Sequence, residues 1–197
     1  SCFGYPGCNE ESLYGTYNGT NNALIKKLGG LRGVPYALDE ISMSDSNNFT
    51  KFIYSLANGA DKERLNKDSE LMKKESWLTT ILSNGEKSII RSSSKNAGVQ
   101  VRVIEAENFT WTKSSKHAES INRVILNNYG HFGIKFAEYL LEQNKEDLIK
   151  QYKYEKDKLS NKLKSINVYD DMTDSRCNKF TIIIQTALML KDALNIE

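Results

Sequence analysis

The stretch that decides the fold reads Val34-Pro35-Tyr36-Ala37-Leu38-Asp39-Glu40-Ile41. Its apolar run is bounded by Gly33 and by polar residues, which is typical of a buried strand in a parallel sheet. Asp39 and Glu40 then lie at the C-terminal end of that strand, the end that faces the ligand crevice in open α/β sheets. Two adjacent carboxylates in that position are suited to holding Mg²⁺ and polarising a water molecule. The stretch therefore predicts a parallel sheet with an acidic edge.

Two interpretations of this acidic strand end remain open from the residues alone. A strand that ends in Asp-Glu is the Walker B pattern, whose acidic residue holds Mg²⁺ in ATPases that cradle nucleotide in a phosphate loop. The same pattern also occurs where an ordinary strand end caps the following helix. A second apolar run, residues 77–82, is followed by Ser83-Asn84-Gly85-Glu86 and predicts a second buried strand. We expect the polar ends of both strands to share one edge of the sheet.

Composition narrows the class of protein. The chain has 197 residues, of which 39% are hydrophobic and 26% charged, enough for one main domain with a core. Its 27 basic and 25 acidic residues nearly cancel, so any electropositive surface must be local. Cys2, Cys8 and Cys177 form no Cys-x-x-Cys pair, which argues for a reducing compartment and against disulfides or a zinc site. Because the sequence shows no signal peptide or long apolar segment, we expect a cytoplasmic location and no membrane partner.

The remaining pattern predicts an α/β core followed by helices. Thr20-Asn21-Asn22 is expected to cap a helix over residues 23–28, and apolar residues at helical spacing predict a second helix over 47–58. The apolar run 100–106 predicts a third strand, interrupted by Arg102, after a Ser-rich linker. Further helices are predicted over 118–128, 132–143, 146–166 and 176–194, the last with its apolar residues in the core.

Residues 60–76 are densely charged and contain a polar turn at Asp68-Ser69, which predicts a hairpin or loop that projects from the body. Basic and acidic side chains are interleaved along the segment. A solvated protrusion is the simplest explanation of that charge pattern. The segment contains no aromatic residue that would stack on nucleic-acid bases, which argues against sequence-specific recognition.

Five motifs follow one another along the chain. They are Thr20-Asn21-Asn22-Ala23-Leu24, Tyr36-Ala37-Leu38-Asp39-Glu40-Ile41, Tyr54-Ser55-Leu56-Ala57-Asn58-Gly59, Ile81-Leu82-Ser83-Asn84-Gly85-Glu86 and Gly98-Val99-Gln100-Val101-Arg102. In this order they resemble the family catalogued as domain of unknown function 927 (DUF927). That family is an AAA+-like P-loop helicase ATPase of phages, plasmids and mobile genetic elements, often beside or fused to a primase. The resemblance spans residues 1 to 195 and is tightest between 20 and 106.

The resemblance implies a role for each of five residues. Asp39 resembles the Walker B ligand of Mg²⁺, and Glu40 resembles the base that orients the attacking water. Asn84 corresponds to a polar sensor of the γ-phosphate or of that water. Arg102 resembles an arginine finger that acts on a neighbouring subunit, a group worth about 10³ to 10⁵ in rate. Arg176, in the last predicted helix, resembles a second sensor arginine that binds the nucleotide.

The resemblance also assigns a role to the charged segment. In hexameric helicases, a hairpin just before the sensor strand projects into the central channel and grips the DNA backbone. Lys62, Arg64, Lys73 and Lys74 are the residues expected to make that contact, which is independent of sequence and sensitive to salt. The implied partners are DNA, further copies of the chain in a ring such as a hexamer, and a primase. The implied cofactors are ATP and Mg²⁺.

One departure from the family pattern concerns the phosphate loop. The Walker A sequence Gly-x-x-x-x-Gly-Lys-Ser/Thr does not occur in these 197 residues, although its amides and lysine normally cradle the phosphates. We therefore expect the chain to be a piece of a longer protein, with residues 1–110 as a partial ATPase core and 111–197 as its helical part or lid. Two functions follow: part of an ATP-dependent DNA helicase motor, or a DNA-binding or scaffold module that kept the fold without catalysis.

Overall fold

The computed structural model describes residues 2–6, 12–41, 49–93 and 97–196. The chain divides into two compact units, Phe3–Tyr129 and Gly130–Glu197, with Cys2 grouped with the second. The elements of the first unit are β1 (Tyr14–Thr16), α1 (Asn21–Leu28), β2 (Tyr36–Asp39), α2 (Phe49–Asn58), β3 (Ile81–Ser83), α3 (Ile89–Ser92), α4 (Ala97–Gln100) and α5 (Ser115–Asn127). Those of the second are α6 (His131–Glu142), α7 (Lys145–Ser165) and α8 (Thr173–Leu194).

The described strands form one parallel sheet in the order β1-β2-β3, with β2 in the centre. Ala37 of β2 is aligned with Tyr14 of β1 on one side and with Leu82 of β3 on the other. The predicted α/β class and the predicted parallel neighbours are confirmed, although both strands are shorter than their apolar runs. Pro35 has no backbone N–H to donate to a ladder, which accounts for regular pairing that begins only at Tyr36.

The core of the first unit lies between this sheet and two helices. Leu24, Ile25 and Leu28 of α1 are buried, as expected from their helical spacing. The cap at Thr20 is confirmed, since its Oγ1 accepts a hydrogen bond from the Ala23 amide at 3.3 Å. Phe49, Phe52, Ile53 and Leu56 form the buried face of α2 and join the same cluster as Leu38 of the sheet. Burial of each of these large side chains is worth about 1.5 to 3 kcal/mol.

The third strand predicted over residues 100–106 is wrong. The chain there ends the short helix α4 and continues in a turn, with the Arg102 and Val103 amides both donating to the Val99 carbonyl, at 2.9 and 3.0 Å. Val99 is fully buried, and Val103, four residues later, packs against the same core. One helical turn brings both valines to the core, so tertiary packing overrides the β preference of this Val-rich run. The preceding Ser-rich stretch, which the sequence predicts to be a linker, contains α3.

The charged segment 60–76 is a hairpin, as predicted, and is called the charged hairpin below. Its two arms pair antiparallel at Ala60 with Ser76 and at Leu65 with Leu71. Asn66 organises the tip, because its side-chain oxygen accepts hydrogen bonds from the amides of Asp68 and Glu70, both at 2.9 Å. This local network is the asparagine-based turn that such polar sequences favour.

The second unit is built on the pair α7 and α8. The side of α8 that is buried carries Thr173, Cys177, Thr181, Gln185 and Met189, spaced four residues apart. The expectation that the apolar residues of this helix lie in the core is wrong, because Phe180, Ile182, Ile183 and Leu188 are exposed. A long helix with one packed side leaves its other sides to solvent, whatever residues they carry.

None of the described helices combines the length and apolar character that crossing a membrane requires.

Gly59 provides a test of how the charged hairpin is joined to α2. Its φ is +71°, and a Cβ there would lie 2.7 Å from the Trp77 carbonyl oxygen. We expect Gly59→Ala to destabilise the protein by about 1 to 3 kcal/mol, because alanine disfavours this backbone conformation and meets fixed backbone. Gly19→Ala is the matched control, since a Cβ there meets nothing within 4 Å. Chemical denaturation measures both, and equal midpoints for the two variants would contradict the assignment.

Candidate functional site

The carboxyl ends of β2 and β3 meet at one edge of the sheet. Asp39 is the last residue of β2, and Asn84 follows the last residue of β3. The Glu40 amide donates to Asp39 Oδ1 and to Asn84 Oδ1, both at 3.1 Å. The Ile41 amide donates to the Asn84 carbonyl, also at 3.1 Å. These hydrogen bonds bring together three of the predicted site residues, Asp39, Glu40 and Asn84, which are called the acidic edge below.

A tight turn at Glu40 ends the central strand. The φ of Glu40 is +62°, a left-handed conformation that is uncommon for residues other than glycine. Gly85, on the facing loop, has a φ of +150°, and a Cβ on it would lie 3.0 Å from the Ile41 amide nitrogen. The loop after β3 therefore packs directly against Ile41, with no room for a side chain at Gly85. Strain of this kind concentrates at functional sites, where the surrounding structure holds it in place.

The Asp39 carboxylate is held by three donors. The Tyr14 hydroxyl donates to Oδ2, and the side chain of Asn84 and the amide of Glu40 also hydrogen-bond the carboxylate. The Tyr14 bond contributes most to lowering the pKa of Asp39, followed by the Asn84 bond, while partial desolvation opposes them. Asp39 is therefore a fixed anion at neutral pH.

The donor set of the acidic edge fits a magnesium ion that is shared with a phosphate group. Mg²⁺ is usually bound by one or two carboxylates, with substrate phosphates and waters completing its shell. Asp39 supplies one such carboxylate, and an ionised carboxylate has about four lone-pair positions, more than the three donors occupy. Within the described ranges, no group of three or more His, Cys, Asp or Glu side chains is arranged to hold a metal by itself. These residues would thus hold Mg²⁺ only with help from a ligand.

The two arginines predicted at the site are engaged elsewhere. Arg102 donates to the Gly98 carbonyl at 2.9 Å, and its guanidinium carbon lies 5.0 Å from the centre of the Tyr54 ring. The guanidinium of Arg102 is thus held by a backbone carbonyl and an aromatic ring. Because Arg102 does not lie in a strand, it does not need the anionic partner that a buried strand arginine would require. Arg176, in α8 of the second unit, lies 3.3 Å from the Asp170 carboxylate. The structure therefore joins Asp39, Glu40 and Asn84 to one another, whereas Arg102 contacts Gly98 and Tyr54.

The four basic residues predicted on the charged hairpin fall into two groups. Arg64 donates to Asn22 of α1 at 2.7 Å and forms an ion pair with Asp61 at 3.4 Å, and Lys74 lies 3.9 Å from Glu63. Lys62 and Lys73 are exposed and form no ion pair with any residue in the described part of the chain.

Sequence reasoning missed Tyr14, which holds the acidic edge from β1. This strand is only three residues long, too short for an alternating pattern to be detected. Its central residue, Gly15, leaves room for the neighbouring strand, since a Cβ there would lie 2.7 Å from the hydroxyl oxygen of Tyr36 and that side chain would have to shift. In the sequence, the role of Tyr14 is indicated only by the glycine that follows it. That glycine can be interpreted only once Tyr36 of the neighbouring strand is known to pack against it.

Comparisons with known proteins find a family model that matches the first part of the chain. The family model of domain of unknown function DUF927 matches residues 1–77, the part of the chain that contains β1, β2 and the charged hairpin. The resemblance expected from the sequence is therefore confirmed over those residues.

One solved structure is similar over nearly the whole chain. It is named "SCCmec type IV Cch - active helicase", is 28% identical and superposes with a TM-score of 0.81. The similarity covers 98% of this chain and 34% of that one, so this chain spans about a third of the length of that helicase. No curated protein matches the chain.

Tyr14→Phe tests the hydrogen bonding at the acidic edge. We expect the pKa of Asp39 to rise toward its ordinary value, and the variant to lose about 1 kcal/mol of stability at pH 7. The pKa of Asp39 is lower in the folded state than its value near 3.9 in the unfolded state, so the hydrogen bonds stabilise the protein above pH about 3.9. This stabilisation is lost as the pH falls through the folded-state pKa of Asp39. The difference between variant and wild type should therefore shrink below pH about 4.

Tyr5→Phe is the matched control, because the Tyr5 ring packs edge-on against Tyr129 and its hydroxyl bonds to no residue in the described chain. Thermal unfolding measured from pH 3 to pH 7 compares the two variants. A loss in Tyr14→Phe that is the same at every pH would contradict the role of the hydroxyl at Asp39.

Proposed function

We propose that this chain is part of an ATP-dependent DNA helicase motor that serves the replication of a mobile element or phage. The observation that carries the proposal is the acidic edge, where the Glu40 amide is shared between Asp39 and Asn84. The DUF927 match over residues 1–77 and the likeness to a helicase structure support the same assignment. The fold in this proposal is an AAA+-like P-loop core.

Each residue of the acidic edge has a distinct chemical task in this proposal. Asp39, held as an anion, would bind Mg²⁺, which when present neutralises charge on the phosphates of ATP. Glu40 orients the attacking water and accepts its proton. Asn84 presents its amide to the γ-phosphate or to that water. The left-handed turn at Glu40 ends the central strand directly after Asp39.

Arg102 is proposed as an arginine finger that acts on the next subunit of a ring, such as a hexamer. To reach across a boundary it must leave the Gly98 carbonyl and the Tyr54 ring. Those contacts are worth about 1 to 2 kcal/mol in total at an exposed site. A finger worth about 10³ to 10⁵ in rate corresponds to about 4 to 7 kcal/mol, which exceeds that loss. Arg176 is proposed to bind nucleotide after release from Asp170.

The charged hairpin is proposed to bind the DNA backbone. Most of its acidic residues are neutralised, because Asp61 pairs with Arg64, Glu63 with Lys74, and Glu75 with Lys26 of α1 at 2.6 Å. Two of these pairs use cations of the hairpin itself, so Lys62, Lys67 and Lys73 remain against Asp68 and Glu70, and Lys26 supplies the one positive charge in excess. This small local excess favours a polyanion. A primase is a further partner implied by the family.

A scaffold function is the second candidate, in which the protein keeps this fold but has lost the phosphate loop. A module that kept the acidic edge but had no phosphate loop would bind DNA without turning over ATP. The coding sequence upstream of Ser1 distinguishes the two, since a Gly-Lys-Ser/Thr loop there supports the motor.

Glu40→Gln in the full-length protein tests the motor. We expect ATP hydrolysis to be abolished while nucleotide binding is retained, because the substitution removes the base and leaves the Asp39 ligand. Glu119→Gln, an exposed position on α5, is the matched control and should hydrolyse ATP at the wild-type rate. Steady-state ATPase rates and equilibrium binding of a fluorescent ATP analogue give the two readouts. Wild-type turnover by Glu40→Gln would reject the assignment.

A double substitution, Lys62→Ala with Lys73→Ala, tests DNA binding by the charged hairpin. The slope of log affinity against log salt should fall by about 2, because each lysine removed leaves one phosphate without its cation. Lys153→Ala with Lys162→Ala, two exposed lysines of α7, should leave the slope unchanged. Fluorescence anisotropy with a labelled oligonucleotide at several salt concentrations measures both variants. Equal slopes in the two double variants would place the DNA contact elsewhere.

A further inference from the structure

Tyr17, the residue that follows β1, is buried, with an exposed fraction of 2%. Its ring packs edge-on against Phe52 of α2, with the two ring centres 6.3 Å apart. Its hydroxyl hydrogen-bonds the side chain of Ser83, the last residue of β3. Burial raises the pKa of this hydroxyl above its ordinary value, and the Ser83 bond offsets only part of the rise. The phenol therefore stays protonated at neutral pH and remains a neutral hydrogen-bonding partner of Ser83.

Tyr17 is attached to all three strands at their carboxyl ends. It directly follows β1 in the chain, and its amide donates to the Asp39 carbonyl of β2 at 3.0 Å. Because β2 lies between β1 and β3, the side chain of Tyr17 reaches past the central strand to bond Ser83. One residue thus connects the last residue of β2 with the last residue of β3.

The attachment of Tyr17 to β3 lies directly beside the acidic edge. Ser83 is the last residue of β3 that is aligned with β2, and Asn84 comes next. Beyond the aligned residues, the Ile41 amide donates to the carbonyl of Asn84 and the Glu40 amide donates to its side chain, both at 3.1 Å. Both of these bonds come from the turn after β2. The Tyr17 hydroxyl adds a constraint from a different element, because it holds the preceding residue from the end of β1.

Packing alone does not account for the hydroxyl of Tyr17. A phenylalanine would fill the same space against Phe52 and would not have to remove a hydroxyl group from water. Ser83 is exposed, so water could satisfy its side chain without this bond. A hydrogen bond that replaces bonds to water contributes little net stability, but it fixes the direction of both partners. The main effect of the pair is therefore to orient the end of β3.

We propose that Tyr17 is a positioning residue of the acidic edge, which holds Asn84 in place through Ser83. The inference rests on the proposed ATP hydrolysis at this edge and adds a residue that acts through another side chain. Asn84 presents its amide to the γ-phosphate or to the attacking water in that reaction, so its displacement lowers the rate of the chemical step. A misplacement of about 1 Å can reduce a rate about 100-fold. Nucleotide binding is unaffected, because Asp39 keeps its hydrogen bond from the Glu40 amide.

Tyr17→Phe in the full-length protein tests this role, because it removes the hydroxyl and keeps the ring against Phe52. We expect kcat for ATP hydrolysis to fall about tenfold, with the affinity for a fluorescent ATP analogue unchanged. Ser83→Ala should lower kcat by the same factor, since it removes the other partner of the same bond. The double variant should be no slower than either single variant. Steady-state kinetics and equilibrium binding give the two readouts.

Ser93→Ala is the matched control for the loss of a buried hydroxyl. Ser93 is buried in the first unit, and its hydroxyl donates to the Ile89 carbonyl at 2.6 Å. This variant should lower the melting temperature and keep the wild-type kcat.

The outcomes separate the positioning role from the proposed function. A Tyr17→Phe variant that melts earlier but keeps the wild-type kcat overturns the positioning role, as do losses in Tyr17→Phe and Ser83→Ala that multiply in the double variant. Because Ser83 is exposed, a Ser83→Ala variant with wild-type kcat overturns it even where Tyr17→Phe does not fold. In each of these cases the wild-type protein still hydrolyses ATP, and the proposed function stands. A wild-type protein without ATP turnover overturns both.

Discussion

The structure of the first unit depends on the parallel pairing of β2 with both of its neighbours. The register with β3 brings the residue after that strand beside Asp39, and the register with β1 brings Tyr14 to the other carboxylate oxygen. Both strands are short, so few ladder hydrogen bonds hold this alignment. The buried face of β2, with Tyr36 and Leu38 against α1 and α2, supplies the rest of the stabilisation. A slip of one residue would turn these side chains out of the core, which fixes the register.

The consequence of this pairing is an anion that is positioned by neutral donors. Hydroxyl, amide and backbone N–H groups hold Asp39, and no ion pair joins it to a cation of the described chain, so its negative charge is oriented but not neutralised. A carboxylate in that state still attracts a metal ion, whereas one paired with arginine or lysine would have most of its charge compensated. The edge therefore keeps a negative charge that no cation of the described chain neutralises.

The charged hairpin shows how ion pairing changes the meaning of a charge pattern. Its arms contain equal numbers of basic and acidic residues, and the sequence alone gives no net field. In the folded chain Asp61 and Glu63 pair with cations of the hairpin itself, whereas Glu75 pairs with Lys26 of α1, which therefore adds one positive charge to this surface.

The sequence determined the elements whose signals are local. The parallel class, the two helices that cover the sheet, the cap at Thr20 and the hairpin follow from apolar spacing, capping residues and turn residues that lie within a few positions of one another. It also identified Asp39, Glu40 and Asn84 as neighbours, because the ends of adjacent parallel strands must coincide. Only the tertiary structure decided the role of Tyr14, the helical turn at Val99 and Val103, and the exposed apolar side of α8. In those three places the outcome depends on which surface another element covers, and that information lies outside the segment itself.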